Sequence, residues 1–220
     1  MSEQKSKYSG LLNAIGEWSE SILIALVLAI FIRTYFLQPF KIPSGSMRMT
    51  LVEGDHLFVS KINYGPILLP EIHSPEFLKK IVDVQWPEFV TPLTKIRLPG
   101  LGKPKRGDVI VFVYPADRSK DFIKRLIGLP GDVVEIREGR IIINGQLVTE
   151  APISKLYYYN RGDYGAAGQP IKVPEGKYFV LGDNSGASHD SRYWGFVDEK
   201  DIVGKAQVIF WPILRVRFIQ

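Results

Sequence analysis

Val109-Ile110-Val111-Phe112-Val113-Tyr114, followed eight residues on by Phe122-Ile123-Lys124-Arg125-Leu126-Ile127-Gly128-Leu129, sets the fold class. The first run is dense in β-branched and aromatic residues and too short for a helix, so it predicts a buried strand. Working outward, 133–137 and 140–143 predict two further strands, with Glu138-Gly139 as a tight hairpin turn between them and Asn144-Gly145 as a second turn after them. Short runs at 56–61, 177–181 and 202–211 add strands, each bounded by Gly, Pro, Asp or Asn. Many short strands with frequent turns predict a mostly β fold built on an antiparallel sheet.

The N-terminal end reads differently. Ile22 to Ile32 is an unbroken apolar run, and its extension from Trp18 to Leu37 is long enough to cross ~30 Å of hydrocarbon as a helix. Glu20 and Arg33 lie near its ends, where long side chains reach the interface, and Pro39 stops the helix. A cleaved leader lacks its small-residue cleavage pattern here, a core helix lacks helical neighbours, and an interfacial helix lacks a polar face. A spanning helix over 18–37 is therefore expected, with 1–17 before it and a β-rich domain over 38–220 after it. Within that domain, 63–104 carries seven prolines and reads as an irregular excursion, lying on the sheet or on a membrane surface.

The 220 residues carry a formal net charge of +5, with Lys and Arg interleaved among acids. That pattern reads as a solvated surface, and no nucleic-acid partner is expected. The absence of cysteine removes disulfides, cysteine nucleophiles and thiolate metal sites.

Three segments carry chemistry. Ser44-Gly45-Ser46 lies just past the helix, where glycine permits a tight turn and close approach of a substrate. On its own it is an ordinary loop sequence. A serine nucleophile needs a base, and none of His56, His73 and His189 stands in a triad context. Lysine is the other option, provided that burial lowers its pKa toward neutrality. Lys124 fits best: on a strand it shares a face with Phe122 and Leu126. Taken alone, it reads more readily as a strand-edge lysine reaching water. The third segment, 182–195 (GDNSGASHDSRYWG), is dense in groups that hold turns, with Asp190 and Arg192 able to pair. Alone it fits an ion or ligand loop equally well.

Taken together, PSGSMRMTL (43–51), GDHLFVSKINYG (54–65), KRGDVIVF (105–112), FIKRLIGLPGD (122–132) and GDNSGASHDSRYWGFV (182–197) resemble the bacterial type I signal peptidases, in the family's order. The resemblance implies the antiparallel β fold of signal peptidases and repressor proteases. It implies a serine endopeptidase with Ser46 as nucleophile, Lys124 as general base, and Ser44 with the Ser46 amide as oxyanion hole. Ser188 would orient the lysine by a hydrogen bond, and Asp183, Asp190 and Arg192 would support the loop. Phe40, Ile42, Met47, Leu51 and Ile123 would wall shallow apolar pockets for the small residues of an A-x-A type cleavage site. No cofactor and no metal are implied. The implied partners are exported preproteins and the lipid bilayer; the oligomeric state is left open. The implied location is a bacterial plasma membrane, single-pass, with a cytoplasmic N-terminus and the catalytic domain on the outer face. The pattern departs at Met49, where the family usually has proline. Two alternatives stand beside this reading: a conjugal-transfer processing protease of the same superfamily, and a non-catalytic membrane-anchored β scaffold.

Overall fold

The computed structural model describes residues 2–68 and 96–219, with side chains from Trp18 onward. Of the irregular stretch 63–104, residues 69–95 therefore lie outside the described part. Its two ends lie side by side: Leu68 N–H donates to Ile96 O, and Leu98 N–H to Pro66 O.

Helix α1 (Ser2–Tyr35) contains the apolar run. Among the described residues it is the one helix long and apolar enough to cross a membrane, over Trp18–Tyr35, and none of that window is buried in the protein. Burial against the domain would be needed for a core helix, so that alternative falls. The helix ends two residues before the expected Leu37, which instead opens strand β1 (Leu37–Lys41). Pro39 keeps Gln38 extended, and the chain leaves the helix early enough to pair as β1 from Leu37 onward. That partner is β2 (His56–Ser60), matched from Leu37↔Ser60 to Lys41↔His56.

The buried run forms β3 (Val109–Val113), antiparallel to β4 (Asp121–Gly128), with Ile110 opposite Lys124. A hairpin of β5 (Val133–Arg137) and β6 (Arg140–Ile143) follows, then the two-residue strand β7 (Gln146–Leu147). Both of its turns have the positive φ angles that a two-residue hairpin loop requires: 51° and 76° at Glu138-Gly139, 52° and 82° at Asn144-Gly145. The remaining strands are β8 (Ile171–Lys172), β9 (Lys177–Leu181), β10 (Val197–Asp198), β11 (Ile202–Trp211) and β12 (Arg217–Phe218). A four-residue helix α2 (Ser191–Trp194) lies between β9 and β10.

These strands make two antiparallel sheets. The larger runs β1-β2-β11-β3-β4-β9-β10, with β12 also pairing β11; the smaller runs β7-β6-β5-β8. Both faces of the larger sheet are covered, which explains why β3 is apolar throughout rather than alternating. Val109 and Val111 join Leu57, Val59 and Ile209 on one side. Ile110 and Phe112 join Leu126, Val180 and Ile202 on the other. The smaller sheet has its own cluster, including Val134, Ile136, Ile141, Tyr158 and Phe179. The short strands β7, β8, β10 and β12 carry no propensity signal of their own and exist because a longer neighbour offers unpaired backbone.

Close packing of β11 on β2 rests on Gly204. A Cβ placed there would lie 2.5 Å from the Ser60 carbonyl oxygen and 2.9 Å from a Val59 methyl. Because backbone cannot yield as a flexible side chain does, Gly204→Ala is expected to destabilise the fold by ~1–3 kcal/mol. Thermal unfolding of the detergent-solubilised chain checks this.

Candidate active site

After β1 the chain passes Ile42 and Pro43, then turns through a single-turn 3-10 helix at Gly45–Met47. Ser46 lies in that turn and is buried, and so is Lys124 on β4. The two meet: Lys124 Nζ is 2.8 Å from Ser46 Oγ and also donates to the Ile123 carbonyl at 2.9 Å. The Phe122 ring lies over the amine, its centroid 5.3 Å from Nζ. The expected apolar neighbour on one side of Lys124 is thus present; Leu126, the other, is buried in the cluster that Phe122 joins.

The electrostatics of the amine set two effects against each other. Burial disfavours the ammonium form, whereas the carboxylates of Asp190 and Asp183 favour it. Burial wins and lowers the Lys124 pKa to about 8. A lysine in this state is neutral in a useful fraction of molecules near neutral pH. An amine of that kind within hydrogen-bond reach of a hydroxyl can take its proton.

The loop 182–192 encloses this pair and is held by two buried, bidentate ion pairs. Arg125 donates through Nε and Nη2 to the Asp183 carboxylate at 2.8 and 2.7 Å. Arg192 donates through Nε and Nη2 to Asp190, both at 2.8 Å. Asp190 also accepts from the Gly182 amide at 3.0 Å, and Arg192 donates to the Tyr159 carbonyl and to Ser185 Oγ. Thr50 ties the serine turn to the first pair: its hydroxyl donates to Asp183 and accepts from Arg125. Asn184 completes the link, its amide donating to the Ser46 carbonyl at 3.0 Å and its side chain to the Gly45 carbonyl at 2.8 Å.

Asp183, Asp190 and Arg192 were expected from the sequence, whereas Arg125, Thr50, Gly182 and Asn184 were not singled out. Arg125 carried a legible signal, since strand neighbours face opposite ways and it follows Lys124 directly. Gly182 has a steric reason. A Cβ there would lie 2.1 Å from Ser188 Oγ and 2.6 Å from the Ser46 carbonyl oxygen, so no other residue fits.

Ser188 differs from expectation. Its hydroxyl is buried without a hydrogen-bond partner among the described residues, so it makes no bond to Lys124 in this conformation. The hydroxyl lies against Gly182, while the amine contacts Ser46 and Ile123. Ser44 has extended backbone, is exposed, and makes no capping hydrogen bond with its side chain. Ile42, Met47 and Leu51 belong to one buried cluster against which Phe40 and Ile123 pack. Met47 and Leu51 are fully buried, so only the partly buried Phe40 and Ile123 present an apolar face outward. Met49 is exposed. His189 is exposed too, 3.2 Å from the Tyr114 hydroxyl and stacked on Tyr193. No group of three or more His, Cys, Asp or Glu that could hold a metal occurs among the described residues.

The family model described as signal peptidase, peptidase S26, matches residues 15–211. A signal peptidase I of Bacillus licheniformis is 34% identical, over 99% of this chain and 98% of its own length. A probable signal peptidase I-2 of Synechocystis is 36% identical, over 96% of this chain and 80% of its own. A signal peptidase I of Pseudomonas fluorescens is 36% identical, over 89% and 73% respectively.

The Arg125–Asp183 pair gives a stability test. Asp183→Ala leaves a guanidinium buried without its carboxylate and is expected to cost ~3–5 kcal/mol. The double variant Arg125→Met, Asp183→Leu removes both charges and is expected to unfold at a higher temperature than Asp183→Ala alone.

Proposed function

The chain belongs to the signal peptidase family S26 and is a serine endopeptidase, and from that premise we propose that Ser46 and Lys124 carry the hydrolysis of signal peptides from exported preproteins. The observation that supports this most directly is the buried 2.8 Å contact between Lys124 Nζ and Ser46 Oγ.

In the proposed reaction the neutral amine of Lys124 accepts the Ser46 proton as Oγ attacks the scissile carbonyl. Negative charge then develops on the carbonyl oxygen. The Ser46 amide, in the first turn of a 3-10 helix where leading N–H groups have no intrahelical acceptor, donates to it. The exposed Ser44 hydroxyl is the second donor, since its side chain is not committed to capping that turn. Collapse expels the new N-terminal amine, which takes the proton from the Lys124 ammonium. Water then attacks the acyl-Ser46, losing a proton to Lys124; as the intermediate collapses the bond to Oγ breaks, Lys124 returns that proton to Ser46, and the leader is released with a new carboxyl group that ionises in water. Ser188, buried beside Gly182, supports the amine's surroundings; Asp183, Asp190 and Arg192 hold the loop.

Specificity for small residues at an A-x-A type site follows in this proposal from shallow apolar pockets walled outward by the partly buried Phe40 and Ile123 and backed from within by Ile42, Met47 and Leu51. Anchoring by the segment 18–37, with residues 1–17 on the cytoplasmic side and the domain 38–220 on the outer face of the plasma membrane, belongs to the same proposal. The exposed apolar window Trp18–Tyr35 supports it. So does the short reach from Leu37 to Ser46, at most roughly 30 Å fully extended, which keeps the nucleophile near the bilayer where a leader emerges.

Cleavage of a purified preprotein in detergent tests the reading. The wild-type chain is expected to cut after a small residue and Ser46→Ala to cut nothing; cleavage by Ser46→Ala would sink the assignment. The pH profile tests the base. Lys124 acts as a base only when unprotonated, so kcat/KM is expected to climb as pH rises toward about 8 and to level off above it. Lys124→Ala is expected to lose about 10²–10⁴-fold and the whole of that ionisation.

A further inference from the structure

Tyr157, Tyr159 and Arg161 occupy alternate positions in the connection between β7 and β8, and all three are exposed. Tyr158 between them is fully buried in the core of the smaller sheet. Alternation therefore turns two phenol rings and a guanidinium to one outer face. The rings pack edge to face, with centroids 5.0 Å apart, and the Arg161 guanidinium lies over the Tyr159 ring at 5.2 Å.

This ledge is attached directly to the catalytic loop. Arg161 donates to the Gly186 carbonyl at 2.8 Å, and the Tyr159 amide donates to Ser185 Oγ at 2.9 Å. A Cβ on Gly186 would be only 3.5 Å from the Tyr159 ring. Two residues earlier in the same loop, Asn184 holds the Gly45 and Ser46 carbonyls. One turn of chain thus separates the nucleophile from the ledge. The ledge hangs from the smaller sheet, which shares no strand with the β1–β2 edge that continues from α1.

We propose that Tyr157, Tyr159 and Arg161 bind the preprotein segment that follows the scissile bond, and that they favour carboxylate side chains within it. The proposal rests on the signal-peptide-cleaving reading. In that reading, the segment before the bond is committed to the bilayer and to the apolar cluster beside β1. The segment after the bond leaves in the other direction, and the ledge is an exposed aromatic surface with a guanidinium attached to that loop. Tyrosine gives contact area at small entropic cost, and arginine is its common partner at recognition surfaces. Arg161 forms no ion pair among the described residues, and one face of its guanidinium is covered by Tyr159. Its outward N–H groups form an oriented fork that matches a carboxylate.

The test uses the full chain in detergent and three peptides with one leader and one cleavage site. The first stops two residues after the bond. The second continues for ten residues with two aspartates at the third to sixth positions, and the third has lysines in their place. The wild type is expected to process the aspartate peptide with kcat/KM about tenfold above the lysine peptide. Arg161→Gln, which keeps an N–H donor for the Gly186 carbonyl, is expected to abolish that preference while the short peptide is still cut, and Tyr157→Ser to lower both long peptides alone. Equal wild-type rates on all three peptides, or an Arg161→Gln chain that keeps the full aspartate preference, would overturn the ledge. A folded wild type that cuts none of them would remove the peptidase reading together with it.

Discussion

An amine kept out of water beside two carboxylates is the condition on which the site depends. Lowering Lys124 from an ordinary value near 10.5 to about 8 means that the folded chain bears about 3 kcal/mol for carrying the ammonium in that place. That cost is borne in full below pH 8, where folded and unfolded chains are both protonated. It fades as pH rises toward 10.5, so this group's share of stability improves across that window. Unneutralised, Asp183 and Asp190 would undo the effect by drawing the proton back. Each is instead committed to its own buried guanidinium through two hydrogen bonds. The two ion pairs hold the loop in place, and they also leave less negative charge for the lysine to see.

Much of the architecture was legible because it follows from local pattern. The strands at β3, β5, β6, β9 and β11 stand where composition and turn residues put them, since each run is self-sufficient in propensity. The hairpin at Glu138-Gly139 was legible for the same reason: left-handed backbone is needed there. The site was legible only in part. Ser46 and Lys124 were named from turn chemistry, an apolar strand environment and a family pattern, and they lie within hydrogen-bond distance. Arg125, Thr50 and Asn184 escaped because their roles depend on pairings across 58, 133 and 139 positions of chain. Ser188 shows the limit of pattern from the other side: a residue type and position do not determine where a hydroxyl points.

The junction between α1 and the sheet joins the two halves of the molecule by more than a peptide bond. Lys61 donates through Nζ to the Thr34 carbonyl at the end of α1, and its amide donates to the Phe36 carbonyl. The Tyr35 hydroxyl donates to Leu68 O. The Thr34 carbonyl in the last turn of α1 and the Phe36 carbonyl just past it are thereby satisfied by Lys61, which directly follows β2. Partial burial and the nearby Arg33 charge lower the Lys61 pKa to about 8. β1 then continues into five matched rungs with β2, so the direction in which the helix leaves the domain is set by backbone pairing.

The wide spacing of the buried pair also bears on biosynthesis. Ser46 leaves the ribosome early, Lys124 arrives 78 residues later, and the loop that encloses them comes only after residue 181. Until that last stretch has been made and has folded back onto β4, the serine has no enclosed amine beside it. On the proposed reading, the pair is therefore assembled only when the last part of the domain has been made and has folded.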